Sequence, residues 1–345
     1  MIFLKTKIQL YISYLPGLLA ALVIAAVAKW IEELLPIHMI GASVIAMFIG
    51  IVINAIRKPN KTFAPGIKFT SKKVLKFAII LLGASLNIAT ILNVGKFSLA
   101  VMVFTLLTCF GVGHFTGKWL GLNWKMSNLI SAGTGICGGS AIAAIAPVID
   151  ATDTDVAFGI SATFLFDMAM IVLFPIMGKA LGLTDQAYGL WAGTAVNDTS
   201  SVVAAGYAFS EGAGDFATMV KLTRTLAIIP TVVIFALINL RLKRKETQNS
   251  DAKLQVKIGS IFPWFILGFL AMAGLRSLGW IPAEVAAFLK STSKFLMVAA
   301  LAAIGLNTSF RDMRKVGLKP MLHGFIISVL VVLVALGVEW ALGLV

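Results

Sequence analysis

The sequence predicts an all-α polytopic membrane protein with about eleven transmembrane helices, inverted repeats and broken helices at the midplane. Three observations predict the class. Of the 345 residues, 59% are hydrophobic and 13% are charged, whereas a soluble domain carries roughly 45–50% apolar and about 25% charged residues. The mean hydropathy is +0.95. Apolar runs recur from end to end, each near the roughly 20 residues a helix needs to cross a bilayer. No stretch remains for a sizeable soluble domain, so residues 1–345 read as one transmembrane domain.

Charge, proline or glycine clusters bound the candidate spans in order. Residues 15–35 follow Lys5 and Lys7, and 39–56 stop at Arg57 and Lys58. Lys72 and Lys73 precede 74–94, while Lys96 and Lys118 bracket 97–117. Next come 128–149 after Lys125, 156–178 before Lys179, 187–209 before Glu211, and 216–240 before Arg241. The last three are 259–279 after Lys257, 284–308 before Arg311, and 321–343 after Lys319. The first run contains Ala26-Val27-Ala28, which imitates a signal-peptidase site, but it is too long for a signal peptide.

The net charge of +14 belongs to loops. With the N-terminus in the cytoplasm, most of the 29 Lys and Arg fall on the inner side, among them Lys125, Lys179, Arg241, Lys243, Arg244, Lys245, Lys253, Arg314 and Lys315. Glu32, Glu33, Asp150, Asp153, Asp155 and Asp215 fall in or beside outer loops. This asymmetry predicts a cytoplasmic N-terminus and an external C-terminus, and it argues against a nucleic-acid partner. Cys109 and Cys137 lie inside apolar runs and read as packing residues, not as a disulfide or a metal site.

Two internal echoes point to repeats. Ala132-Gly133-Thr134 with Ser140 and Ala144 reappears sixty positions on as Ala192-Gly193-Thr194 with Ser200 and Ala204. Leu86-Asn87 before a span ending near Trp119 matches Leu306-Asn307 before one ending near Trp340, in opposite directions across the membrane. Opposed direction is what an inverted repeat requires.

Three segments carry the candidate chemistry. Ser131 to Pro147 holds Gly133, Gly135, Gly138 and Gly139 within seven residues. Each glycine costs a helix about 1 kcal/mol relative to alanine, and freed backbone groups at membrane depth need protein or a water-filled cavity. The segment reads as a broken helix lining a cavity, with a half-helix restarting near Gly139 and Ser140 to face an anion; close helix packing is the alternative. In the seventh span, Asn197, Asp198, Thr199, Ser200 and Ser201 form an unbroken polar run, where Asp198 suits an N-cap for a second restarting half-helix. In the eighth span, Thr218, Lys221, Arg224 and Thr225 share one helical face. Asp167 and Asp198 are the acids available to pair with Arg224, while Lys221 is alternatively placed to snorkel to the interface. Pro230 predicts a kink. His114 and His323 receive no role.

There is no Walker motif, metal spacing or nucleophile elbow, so the chain does not read as a pump or an enzyme and calls for no cofactor. The segments Gly133 to Ala144, Ala192 to Ala205 and Val220 to Leu226 together resemble the YeiH-like sulfate exporter family of bacterial inner-membrane proteins. That resemblance spans nearly the whole chain. It implies kinship with the superfamily of bile-acid transporters and sodium/proton antiporters, with panel and core subdomains and a core including about 128–240. The expected function is secondary transport of a small anion, such as sulfate or a sulfonate, across the bacterial inner membrane. The expected substrate site comprises Thr134, Cys137, Gly138, Gly139, Ser140, Thr194, Asn197, Asp198, Thr199, Ser200, Lys221 and Arg224, with Asp167 and Asp198 as coupling or counter-ion groups. A cation/proton antiporter using Asn197-Asp198 is the alternative. The partners expected are the anion, the bilayer, a coupling proton or sodium ion, and a second copy of the chain as a homodimer.

Overall fold

A computed structural model describes the backbone of residues 2–34, 42–247, 263–308 and 317–344. In chain order the helices are α1 (Ile2–Leu34), α2 (Ala42–Ile56), α3 (Ala64–Phe69), which runs through a π-helical turn at Thr70–Val74 into α4 (Leu75–Gly83), α5 (Ile88–Trp119), α6 (Trp124–Gly135), α7 (Gly139–Ile145) and α8 (Asp153–Ala180). They continue as α9 (Asp185–Ala195), α10 (Thr199–Phe209), α11 (Glu211–Thr225), α12 (Ile228–Thr247), α13 (Trp264–Ser277), α14 (Ala283–Asn307) and α15 (Leu318–Ala341). Six described segments are long and apolar enough to cross a membrane, and α2 and α13 are shorter apolar helices. The protein is a polytopic, all-helical membrane protein.

Most predicted spans coincide with these elements, the fifth and seventh as the broken pairs α6–α7 and α9–α10. The third and fourth do not. The turn expected at Gly95 and Lys96 lies instead at 84–87, and Lys96 sits exposed within the continuous α5. Polar side chains set the turn: the Ser85 hydroxyl donates to Leu82 O at 2.8 Å, and Asn87 Oδ1 accepts the Ala89 N–H at 2.8 Å, starting α5. A single lysine on an exposed helix face does not break the helix. In the eighth span Pro230 lacks an N–H and crowds the carbonyl four residues back, and the helix divides at Leu226 and Ala227. The basic residues Lys253, Lys257, Arg311, Arg314 and Lys315, and the side chains of Lys5, Lys7, Asp153, Lys243, Arg244 and Lys245, lie outside the described residues.

The chain forms two compact units. The first comprises Met1–Asn93, Val203–Glu211 and Trp264–Asp312. Its core is rich in alanine, with Ala21, Ala25, Ala28, Ala46, Ala299, Ala302 and Ala303 fully or nearly fully buried. Small side chains allow close helix approach, which drives association where lipid is as apolar as the protein. At the crossing of α2 and α14, a Cβ on Gly305 would overlap the Met47 carbonyl oxygen, and one on Gly50 would reach Ala302 O at 2.5 Å. Asn54 Nδ2 donates to Leu306 O across the same contact.

The second unit comprises Val94–Val202, Gly212–Pro263 and Met313–Val345. Leu129, Ala132, Ile136, Cys137, Ile142, Ile145 and Ile149 pack with Ile228, Val232 and Phe235 in its core. A capping box starts α8: Asp155 N–H donates to Thr152 Oγ1 at 3.2 Å, and Asp155 Oδ2 accepts the Thr152 N–H at 3.0 Å. α15 packs on α6, α8 and α9, with Trp191 Nε1 donating to Val332 O at 2.9 Å. His323 is buried between Thr116 Oγ1 at 2.9 Å and Ser127 Oγ at 3.1 Å, a satisfied structural histidine.

Gly305→Ala is expected to destabilise the protein by about 1–3 kcal/mol, the usual cost of overpacking a filled contact. At Gly337 nothing lies within 4 Å of an added Cβ, so Gly337→Ala is expected to leave stability unchanged or raise it slightly. Thermal unfolding of the detergent-solubilised variants checks both; equal stability at Gly305 would show that the crossing yields.

Candidate functional site

The four-glycine segment breaks its helix where expected. α6 ends at Gly135, Ile136 turns away at φ −120° and ψ −86°, and α7 begins at Gly139. Gly138 adopts φ 65° and ψ −133°, a conformation open to glycine and strained for other residues. A Cβ there would also lie 3.0 Å from Asp198 Oδ1. Glycine therefore lets the first break touch the second, where α9 ends at Ala195, Val196 is extended, and α10 begins at Thr199.

Broken helices expose carbonyls at the end that stops and N–H groups at the end that restarts, and the two carbonyl ends and the restart of α10 each meet a charged side chain. From α11, Arg224 Nη2 donates to Thr134 O at 3.0 Å and Nε donates to Gly135 O. One turn earlier, Lys221 Nζ donates to Val196 O at 2.8 Å. From α8, Asp167 Oδ1 accepts the Asn197 N–H at 2.9 Å and Oδ2 accepts the Asp198 N–H at 3.1 Å. Asp198 Oδ2 accepts the Ser200 N–H at 2.9 Å and also the Ser200 hydroxyl. Cations on carbonyl ends and anions on N–H ends both match the sense of the helix dipole.

Several expectations change. Lys221 does not snorkel: it is fully buried, because Val196 O gives its ammonium a partner inside. Arg224 is bonded to main-chain carbonyls and not to Asp167 or Asp198. The restart of α10 goes as expected, with Asp198 accepting the Ser200 N–H as its cap, while Asp167 takes the two N–H groups just before the helix. Ser140 is exposed and Thr199 half-buried, while the Thr194, Thr218 and Thr225 hydroxyls donate into their own helices. Cys137 and Gly139 flank Gly138 in the first break, Cys137 buried as a free thiol. No group of three metal-ligating side chains occurs among the described residues.

What these bonds leave over defines the candidate site. Arg224 Nη1, both amide atoms of Asn197 and Thr134 Oγ1 are buried without a hydrogen-bond partner. All belong to the two breaks or to the helix that holds them. Donors predominate: the guanidinium and amide nitrogens carry N–H groups, the hydroxyl both donates and accepts, and only Asn197 Oδ1 is purely an acceptor.

Residues 16–324 match the family model described as conserved hypothetical protein 698. A UPF0324 membrane protein of Clostridium tetani is 54% identical over 339 residues, covering 96% of this chain and 98% of that one. UPF0324 membrane proteins of Streptococcus pyogenes serotype M6 and Streptococcus mutans are 39% and 38% identical over 338 residues, covering 97% and 96% of this chain and 99% and 98% of theirs. The chain belongs to this family. The names of these UPF0324 relatives state a membrane protein and no substrate, and the matched region contains both breaks and α11.

One buried polar group was missed in the sequence. Glu339, in the last turn of α15, is fully buried with neither carboxyl oxygen hydrogen-bonded. An acid close to a span end reads as an interfacial residue. The available signal was its helical spacing from Val331 and Ala335, which places it on the buried face.

Asp167→Asn is expected to lower stability by about 1–3 kcal/mol, because asparagine offers one acceptor oxygen to two N–H groups and orphans the other. Thermal unfolding of the purified variant measures this; an unchanged midpoint would mean that the restart of α10 does not depend on Asp167.

Proposed function

We propose that this UPF0324 family member is a secondary transporter of a small oxyanion in the bacterial cell membrane, without enzymatic chemistry. The observation that carries the reading is the donor-rich set left unpartnered where two helix breaks meet: Arg224 Nη1, Asn197 Nδ2 and Thr134 Oγ1. Secondary transporters place their sites at such discontinuous helices, and a guanidinium beside an amide suits carboxylate, sulfonate or sulfate oxygens. The resemblance to sulfate exporters supports sulfate or a sulfonate as the class. The basic loops support a cytoplasmic N-terminus. A cation/proton antiporter would use the carboxylates of Asp167 and Asp198, but these already serve main-chain N–H groups, and the atoms left over at the breaks are mainly donors, which favours the anion.

In this reading Arg224 does two things at once: Nε and Nη2 hold the end of α6 while Nη1 meets the anion. A lysine has no planar fork. Arg224→Lys is therefore expected to weaken anion binding by about 1–3 kcal/mol, the range for hydrogen bonds to charged groups, and Arg224→Ala to abolish it. Thermal-shift titrations with sulfate, sulfite, thiosulfate and acetate measure this. Stabilisation that persists unchanged in Arg224→Ala removes the residue from the site.

Cys137 supplies a second test. It is 1% exposed in this conformation, so alternating access requires another conformation that opens the break. A small water-soluble thiol reagent is expected to label Cys137 during turnover, and sulfate to change the rate. A thiol that stays inert while the protein transports would make the break a packing device.

A further inference from the structure

We propose that Glu339 is a proton-binding site that couples proton movement to transport through the adjoining break. The coupling rests on the transport reading; the proton site stands on its own geometry.

Glu339 is fully buried in the last turn of α15. Its neighbours Trp340 and Leu342 are exposed, so the carboxyl lies about one helical turn from the helix end. α15 packs on α6, α8 and α9. Their described titratable groups are Lys125, Asp155, Asp167, Lys179, Asp185 and Tyr188, and the polar group beside the Glu339 carboxyl is the Thr194 hydroxyl of α9. Neither carboxyl oxygen completes a hydrogen bond. A carboxylate without cation or donor is strongly disfavoured in a membrane interior, and the carbonyl end of a helix disfavours it further.

Thr194 can serve either form. While its hydroxyl donates within α9, to Leu190 O at 2.7 Å, its lone pairs can accept the O–H of a carboxylic acid; turned toward Glu339 the same hydroxyl donates to a carboxylate and gives up Leu190 O. Binding adds one proton to a carboxyl oxygen, and release returns it, with no other covalent bond changed. Thr194 lies one turn before Asn197, and the intervening Val196 carbonyl is the one Lys221 holds. Loss of the proton therefore sets a negative charge against the last turn of α9, at the edge of the candidate anion site. Proton and anion thus bias the same element, which is the requirement for coupling.

The test uses the full chain in proteoliposomes. Infrared difference spectra over a pH titration are expected to show a carboxylic-acid carbonyl band that fades as pH rises, shifts with isotope-labelled glutamate, and is absent in Glu339→Gln. The isotope shift identifies a glutamate in the wild type if the variant does not fold. A wild type without such a band, or a band that Glu339→Gln retains, overturns the proton site whatever the protein transports. Separately, labelled sulfate and sulfite are followed. Wild-type uptake is expected to respond to an imposed pH gradient and Glu339→Gln uptake to lose that response. An equal response in the variant overturns coupling at Glu339. Absence of wild-type counterflow for both anions overturns the transport reading and the coupling, and leaves the proton site to be judged by its band.

Discussion

Inside a bilayer no water satisfies a main-chain N–H or C=O, and this constraint organises the second unit. Two helices stop and restart within it, and each loose end must find a partner from the protein. The partners come from elsewhere in the chain: Arg224 and Lys221 on α11 for the carbonyl ends, and Asp167 on α8 for the N–H end, with Asp198 closing the first turn of α10. Removing any of these groups leaves an orphaned main-chain group in a place where water does not replace it.

Two basic and two acidic side chains thus serve the breaks, each bonded to main-chain groups at a helix end. This explains how such charges sit among apolar helices. It also explains why the unassigned hydrogen-bonding capacity is informative. Arginine has more donors than two carbonyls consume, and asparagine brings an amide that its main-chain bonds do not use. A structural role alone would be met by a shorter list of atoms. The surplus is concentrated at the meeting point of the breaks, and it is mainly of the donor kind.

Much of this was legible in the sequence. The glycines from Gly133 to Gly139 and the polar run from Asn197 to Ser201 mark both breaks because a continuous helix in lipid has no use for either. The helical spacing of Lys221 and Arg224 marks a shared face. The partners were not legible, because main-chain carbonyls carry no sequence signal until one knows which helix stops where. A sequence reading sees a ligand or an acid as the partner of Arg224, and the main-chain carbonyls that it holds are invisible to it. The turn at Ser85 to Asn87 was hidden for a related reason: Lys96 advertises a boundary by charge, whereas the real boundary is made by short polar side chains bonding to nearby backbone. Glu339 was hidden by its nearness to a helix end, since burial there depends on neighbouring helices that only the fold supplies.

Lys221 and Arg224 stand three residues apart, about 4.5 Å along one helix at 1.5 Å per residue, yet one grips the stump of α9 and the other the stump of α6. A single helical turn of α11 is therefore a tie-bar between two otherwise separate loose ends. Neither stump can slide past the other without breaking a buried bond. Mechanically the two breaks are one part, and α11 is the piece that joins them.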